Sequence, residues 1–281
     1  MSDLAPPARP EPATVKVSVV IPCFNSSAFL AETVASVLAQ TLRDCEIVFV
    51  DDGSTDDTRP IIEHLMAACA DRPMHLVSQT NAGVAAARNR GIAEARGRYV
   101  LPLDADDLIA PTMLEECAVL LDADAEIAVV YTDRRDFGDV DGEWPAGKFA
   151  LGHLKYFNQI AYCSLFRRSM WEDLGGYRVN VTGFDDWDFW VAAAARGYRG
   201  KHLPKPLLRH RRHRQSHLWR IVGEYERLHA RIILNNRGAY SAAEVEIADR
   251  FLREGTASAL LTSARIVFLG RYYAGYESTP T

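Results

Sequence analysis

Apolar residues in the first half of the chain come as short runs separated by helical stripes. Residues 17–22 form an apolar run closed by Pro22, and 47–50, 75–77, 99–103 and 127–131 repeat the pattern. Runs of this length read as buried strands. Between them Leu30, Val34, Val37 and Leu38, and then Ile61, Ile62, Leu65, Met66 and Cys69, recur at the spacing of one helix face, and 84–95 and 113–121 supply two further helices. Ser26 or Ser27 is placed to cap the first helix and Ser54 the second, in which Pro60 fits only an early turn. Regular alternation of strand and helix predicts an α/β fold with a mostly parallel central sheet and helices on both faces. After Tyr131 the pattern loosens. Gly138, Asp141, Gly142, Pro145 and Gly147 suggest a long loop or hairpin, 164–166 a returning strand, and 171–174 a helical turn closed by Gly175 and Gly176. Residues 186–196 read as a helix stopped by Gly197, and 225–235 and 242–269 as terminal helices.

Composition narrows the class without choosing a chemistry. With 281 residues, 48% apolar and 25% charged, the chain is long enough for one sizeable core, and its net charge of −5 argues against nucleic acid as a partner. Five cysteines lie far apart without CxxC spacing, which argues against a zinc knuckle and for a reducing, cytoplasmic compartment. Residues 1–14 carry four prolines and no apolar run, so they read as a flexible tail. No stretch approaches a membrane span. The nearest, 257–269, is broken by Thr262, Ser263 and Arg265 and reads as an amphipathic helix, with peripheral contact at the inner membrane face as the alternative.

Ligands of open α/β sheets bind beyond the carboxyl ends of the strands, so Asn25, Asp51, Asp52, Asp104 and Asp106 are expected to converge on one crevice. In an extended Leu103-Asp104-Ala105-Asp106-Asp107 segment, Asp104 and Asp106 face one side and Asp107 the other. Two carboxylates aimed at one spot call for a cation or a proton between them, and Mg²⁺ or Mn²⁺ suits such oxygens together with phosphate. The alternative is a solvated acidic turn. Val50-Asp51-Asp52-Gly53-Ser54 offers a tight turn and a carboxylate for a base N–H or a ribose hydroxyl, against an ordinary Asp-Gly turn. Asn81-Ala82-Gly83 permits close backbone approach. Arg88, on the helix that follows, either reaches the crevice or forms a structural ion pair. Asp185, Asp186 and Asp188 open a helix, which the dipole favours on its own, and crowded acids there also suit a general base. Trp187 and Trp190 pack in the core or stack on a sugar. Five of the eight histidines lie between His202 and His229, in a basic stretch suited to a diphosphate.

Taken together, Val17-Ser18-Val19-Val20-Ile21-Pro22-Cys23-Phe24-Asn25, Val50-Asp51-Asp52-Gly53-Ser54-Thr55-Asp56, Asn81-Ala82-Gly83 with Ala87-Arg88-Asn89, Asp104-Ala105-Asp106-Asp107, Asp185-Asp186-Trp187-Asp188 and the His213 segment resemble the family-two glycosyltransferases of the GT-A fold, in order and spacing, from about Val17 to Ser216. The family's usual Glu-Asp pair is here Asp185-Asp186. The resemblance implies a GT-A domain over 15–216, with a nucleotide-binding half (15–107) and an acceptor and catalytic half (108–216), followed by a helical extension (217–281). It implies an inverting transfer from a nucleotide-diphospho-sugar, UDP-linked by preference, to a hydroxyl of a glycan, lipid-linked sugar or other acceptor in cell-envelope or exopolysaccharide synthesis. By position it assigns Pro22, Phe24, Asn25, Asp51, Asp52, Asn81, Gly83, Arg88, Asp104, Ala105 and Arg211 to the nucleotide sugar. Asp106, Asp104 and His213 fall to a divalent metal, and Asp186, with Asp185 as rival, to the catalytic base. The segment around 149–164 is expected to meet the acceptor.

Other nucleotide-handling classes fit less well. A dehydrogenase requires Gly-x-Gly-x-x-Gly after the first strand, where this chain has Pro22-Cys23-Phe24-Asn25. A P-loop enzyme requires Gly-Lys-Ser or Gly-Lys-Thr, and neither occurs. A nucleotidyltransferase lacks its Gly-rich basic loop here, and a non-catalytic nucleotide-sugar-binding module needs no separate acidic pair.

Overall fold

The computed structural model describes residues 15–213 and 224–255. The tail 1–14, the segment 257–269 and the residues from Arg214 to Ser216 lie outside them. Strand β1 (Val17–Cys23) is followed by α1 (Leu30–Leu38), β2 (Cys45–Asp51), α2 (Thr58–Ala68), β3 (Met74–Ser78), α3 (Val84–Glu94) and β4 (Tyr99–Pro102). These strands form a parallel block in the order β3-β2-β1-β4, as the alternation predicts.

The second half joins β4 through antiparallel β8 (Leu165–Arg167) and continues to β6 (Ile127–Gly138), β9 (Arg199–Arg212) and β5 (Leu108–Ile109), with β7 (Gly142–Trp144) paired to β6. The sheet is therefore mixed, its parallel character residing in the first block and in the β6–β9 pair. Strand β9 was not expected, because its basic sequence shows no apolar alternation. It skips residues against β6 near Pro204 and Pro206, where Thr132 pairs with Leu203 but Asp133 with Pro206. Prolines have no N–H for the ladder, so the strand bulges there. The bend carries Leu208 and Arg209 onto β5, beside the acidic turn.

Alternate strand residues feed two cores. Val20, Val48, Val100, Val129 and Phe166 pack with α3, α6 (Arg168–Leu174) and α7 (Asp185–Ala195). Val19, Ile21, Ile47, Phe49, Leu101 and Leu165 pack with α1, Ile62 of α2 and α4 (Met113–Ala123). Helix α3 lies unusually close to the sheet, since a Cβ on Gly91 would collide with Val20 and Val50. Trp187 and Trp190, both buried, belong to the core, and Trp190 meets Phe149, Phe166 and Phe189 edge-on or tilted. Full burial of such a ring contributes about 1.5–3 kcal/mol.

Helices α8 (Tyr225–Asn235) and α9 (Ala242–Glu254) match the start of the expected extension, but they are part of the first core: Tyr225, Leu228, Ile232, Ile233 and Ala248 are buried in it. Among the described residues no helix is long and apolar enough to cross a membrane.

The expected serine caps are not used. Ser54 Oγ instead accepts from Asn25 N (3.1 Å), and Asp56 holds the α2 terminus by accepting from Thr58 N (3.0 Å). The first turn of α1 starts from the Ser26 carbonyl rather than a side-chain oxygen.

Candidate active site

At the carboxyl ends of β1, β2 and β4 a cavity of about 970 Å³ opens between the parallel block and the second half. Pro22, Phe24, Asp52, Asn81, Gly83, Arg88 and Asp104 line it from the first half, and Asp185 and Asp186 from α7. The remote acids of the two halves therefore do meet. Their meeting is organised by Arg88, whose guanidinium donates from Nη2 to Asp104 Oδ1 and from Nη1 to Asp185 Oδ2, each at 2.6 Å, and sits 4.9 Å from the Tyr162 ring. Both alternatives for Arg88 hold at once: it forms structural ion pairs and it faces the cavity. Its Nε is buried without a partner among the described residues.

Asp52 is 3% exposed and shapes the first-half side of the cavity. Its carboxylate accepts from Gln79 Nε2 (2.7 Å), Ala82 N (2.8 Å) and Gly83 N (2.9 Å), fixing the Asn81-Ala82-Gly83 turn against the end of β2. Gly53 allows this closeness, with φ of 76° and a hypothetical Cβ only 3.0 Å from Asn81 N. Asp51 and Asn25 are not in the cavity wall. Asp51 Oδ1 accepts from Ser54 N (3.0 Å), and Asn25, at φ 51°, accepts from Thr55 N (2.8 Å), so both brace the turns behind the pocket. Neighbouring Asn89 holds α3 to the 175–177 turn through Tyr177 and Trp171.

The acidic turn after β4 departs from the extended geometry expected of it. Asp107 N donates to Asp104 O (3.2 Å), so the segment turns, and Asp104 lines the cavity while Asp106 does not. Asp104 stays with Arg88, and burial pushes its carboxyl above the usual range while Arg88 pulls it back. Ala105 is 6% exposed and packs into the core, its carbonyl accepting from Thr33 Oγ1, so it does not reach the pocket. Asp106 lies 2.9 Å from His213 Nε2, outside the cavity wall. Arg211 is also outside it, donating to the Asp106 carbonyl (2.8 Å) and to Glu32 (2.5 Å). Asp107 is not in the cavity wall. It is 1% exposed and accepts from Tyr162 Oη and Arg211 N, each at 2.6 Å, and burial raises its carboxyl to about 7.

Among the described residues no group of three or more His, Cys, Asp or Glu side chains is arranged to hold a metal ion. Asp106 and His213 still offer one hard oxygen and one imidazole nitrogen, both partly open to solvent. Such a pair fits an ion that completes its sphere with phosphate oxygens and water. Asp104, committed to Arg88, is not part of that pair.

The two acids of α7 divide their roles. Asp185 is 1% exposed, accepts from Gly183 N (3.0 Å) and pairs with Arg88. Asp186 is half-buried in the cavity wall and accepts from Asn158 Nδ2 (2.8 Å). Burial, reinforced by the adjacent Asp185 charge, raises the Asp186 carboxyl to about 7. Asn158 and Tyr162 were not singled out from sequence. Both lie in the 149–164 segment expected to meet the acceptor, and both line the cavity.

A parallel block with a Gly-containing turn at β2, an acidic turn at β4 and a second acidic pair brought in by α7 defines the GT-A class of α/β domain. The family model "Glycosyl transferase family 2" matches residues 18–175, more than half of the sequence, and the chain belongs to that family. It is 32% identical over 208 residues to chondroitin synthase of Escherichia coli, across 69% of this chain but only 29% of the synthase. Among solved structures, S. aureus TarS in complex with UDP-GlcNAc superposes with a TM-score of 0.65 at 23% identity, covering 92% of this chain and 73% of TarS. Mannosyltransferase PcManGT from Pyrobaculum calidifontis, in complex with GDP-Man and Mn²⁺, gives a TM-score of 0.65 at 22% identity, covering 95% and 76%. At these identities the two structures show the fold.

Proposed function

We propose that this protein transfers a sugar, with inversion, from a nucleotide-diphospho-sugar to an acceptor hydroxyl, and that Asp186 is the base. The observation that carries this is one cavity wall on which Asp186, raised to about 7, stands with the Arg88-linked Asp104 and Asp185 and with the Asp52-braced turn. The Asp186 carboxylate takes the acceptor proton as the acceptor oxygen bonds to the anomeric carbon. The bond to the diphosphate breaks on the opposite face, and the nucleoside diphosphate leaves. A base near neutrality is well matched to a sugar hydroxyl at physiological pH. Asp185 keeps Arg88 in place and is a positioning residue.

Pro22, Phe24, Asp52, Asn81 and Gly83 form the nucleoside side, and Asn25 and Asp51 support it from behind. Asp106 and His213 are the residues that would hold Mn²⁺ or Mg²⁺. When bound, such an ion supplies charge neutralisation for the departing diphosphate. The bound UDP-GlcNAc of TarS and the bound GDP-Man and Mn²⁺ of PcManGT support a nucleotide-sugar donor and a metal. The chondroitin synthase relative supports a polysaccharide-type acceptor. We favour a UDP-sugar, an envelope or exopolysaccharide product, and a cytoplasmic reaction with peripheral membrane contact. The five free cysteines support the compartment. Residues 15–216 are taken as the transferase unit and 217–281 as its helical extension.

The test is Asp186→Asn, assayed by nucleotide release with a panel of UDP- and GDP-sugars and by UDP binding. Turnover is expected to fall about 10²–10⁴-fold with the UDP dissociation constant within a factor of two. Normal turnover in the variant removes Asp186 as the base.

A further inference from the structure

The cavity is electrically lopsided. One part of its lining carries Asp104, Asp185 and Asp186 with Arg88, and another comes from β6 and β9, through Arg134, His210 and Arg212. Strand register explains this. Arg134 pairs with Leu208, Asp136 with His210 and Gly138 with Arg212, so these positions share one face. Arg209 and Arg211 take the other face, each lying over the Phe137 ring. One alternation thus divides the basic run between two tasks: Arg211 and His213 go to the rim at Asp106, and His210 and Arg212 go to the cavity wall.

That wall is built around one buried carboxylate. Asp136, wholly buried, accepts from Arg134 Nε (2.9 Å), from Arg212 Nη1 (3.0 Å), and lies 3.3 Å from His210 Nδ1. Two guanidinium groups and an imidazole thus share one buried carboxylate. The Asp107 carboxyl also bears on His210, and its oxygens accept from Tyr162 Oη and Arg211 N. Arg134 is a third exposed, stacks 5.5 Å from the Trp144 ring, and makes no hydrogen bond through its two terminal nitrogens among the described residues. Trp144 also lines the cavity, and its Nε1 is buried without a partner among the described residues. An open guanidinium fork beside an unpartnered indole N–H matches the oxygens of a carboxylate or phosphate.

We propose that Arg134, beside Trp144, binds an anionic group on the acceptor, so that the acceptor is an acidic or phosphorylated saccharide. The proposal rests on the glycosyl-transfer function above, in which the donor diphosphate meets the ion that Asp106 and His213 would hold, outside the wall that carries Arg134. The two anions therefore occupy different places.

The test uses protein saturated with UDP and Mn²⁺, titrated by calorimetry with p-nitrophenyl β-glucuronide, glucose 6-phosphate and the uncharged p-nitrophenyl β-glucoside. At least one charged probe is expected to bind tenfold or more tightly than the glucoside, and which one does so separates carboxylate from phosphate. Raising salt from about 50 to 500 mM should erode the advantage in the wild type, since screening weakens a partly exposed charge contact. Arg134→Gln should abolish the advantage and leave UDP affinity within a factor of two. Equal affinities for the three probes in the wild type overturn the proposal, as does an advantage that survives in folded Arg134→Gln. A loss of UDP affinity in that variant reassigns the wall to the donor. Failure of wild-type protein to bind UDP is a separate result, and it removes the function on which the proposal stands.

Discussion

Asp186 and Arg88 show how much a single side chain decides here. Asp186 has a folded-state carboxyl raised to about 7, above the ordinary aspartate value. The sign follows directly. Between about pH 4 and 7 the folded protein binds this proton more tightly than the unfolded chain, so stability from this group is greatest below pH 4 and declines as pH rises through 7. Asp186→Asn is therefore expected to unfold at a higher temperature than wild type at pH 8, with the difference vanishing near pH 4. Thermal melts across this range check it. In the wild type, kcat is expected to rise with pH through about 7 as the base deprotonates, and a flat profile between pH 5.5 and 8.5 would contradict the assignment. Arg88→Ala strands two carboxylates, one of them buried. It is expected to cost about 3–5 kcal/mol at neutral pH, as breaking a buried ion pair does, and less in acid, by denaturant unfolding at pH 7.5 and 4.5. Both acids were legible in the sequence as motifs. Their shared partner was not, because Arg88 lies 16 positions from Asp104 and 97 from Asp185, and no local pattern connects them.

At the scale of elements, the strands and helices of the parallel block followed closely from apolar periodicity, because both faces of β1, β2 and β4 are buried. Strand β9 escaped notice for the opposite reason. Its outward positions are charged, its inward ones include His210 and Arg212, and it is broken by a bulge, so no hydrophobic period survives. The acidic turn was misjudged in shape because an Asp-x-Asp triplet reads the same whether extended or turned. Asn158 sits in a loop with no periodicity and could not have been chosen from sequence. That loop is tied to α9 by Glu244, which accepts from Tyr156 Oη (2.7 Å) and Lys155 Nζ (3.3 Å) and completes a capping box with Ser241. Hydrogen bonds from Tyr156, Ser241 and Lys155 outweigh burial and hold the Glu244 carboxyl down at about 2. Its stabilisation is complete above the ordinary glutamate value and fades as pH falls toward 2. Glu244→Ala is expected to lose about 1–2 kcal/mol at pH 7, the size of a lost cap. It should also lower kcat more than UDP affinity, because the Asn158 contact to Asp186 lies two residues beyond Tyr156. Equal effects on both parameters would show that α9 does not steer the base.

For the whole molecule, the cavity is shared between the parallel block and the mixed second half, so ligands should weld the two. UDP at a hundredfold its dissociation constant contributes about 2.7 kcal/mol, which for a chain of this size raises the melting temperature by roughly 5 °C or more. Mn²⁺ is expected to add a further increment in the wild type and none in Asp106→Ala. An undiminished Mn²⁺ increment in that variant would move the metal away from Asp106. The Arg88 bridge has a practical corollary for anyone recombining such enzymes. The guanidinium comes from one half and its two acids from both, so a chimera that exchanges donor and acceptor halves between relatives inherits an intact junction only when all three positions travel together. Swaps that separate them should yield insoluble protein even when each parent is well behaved.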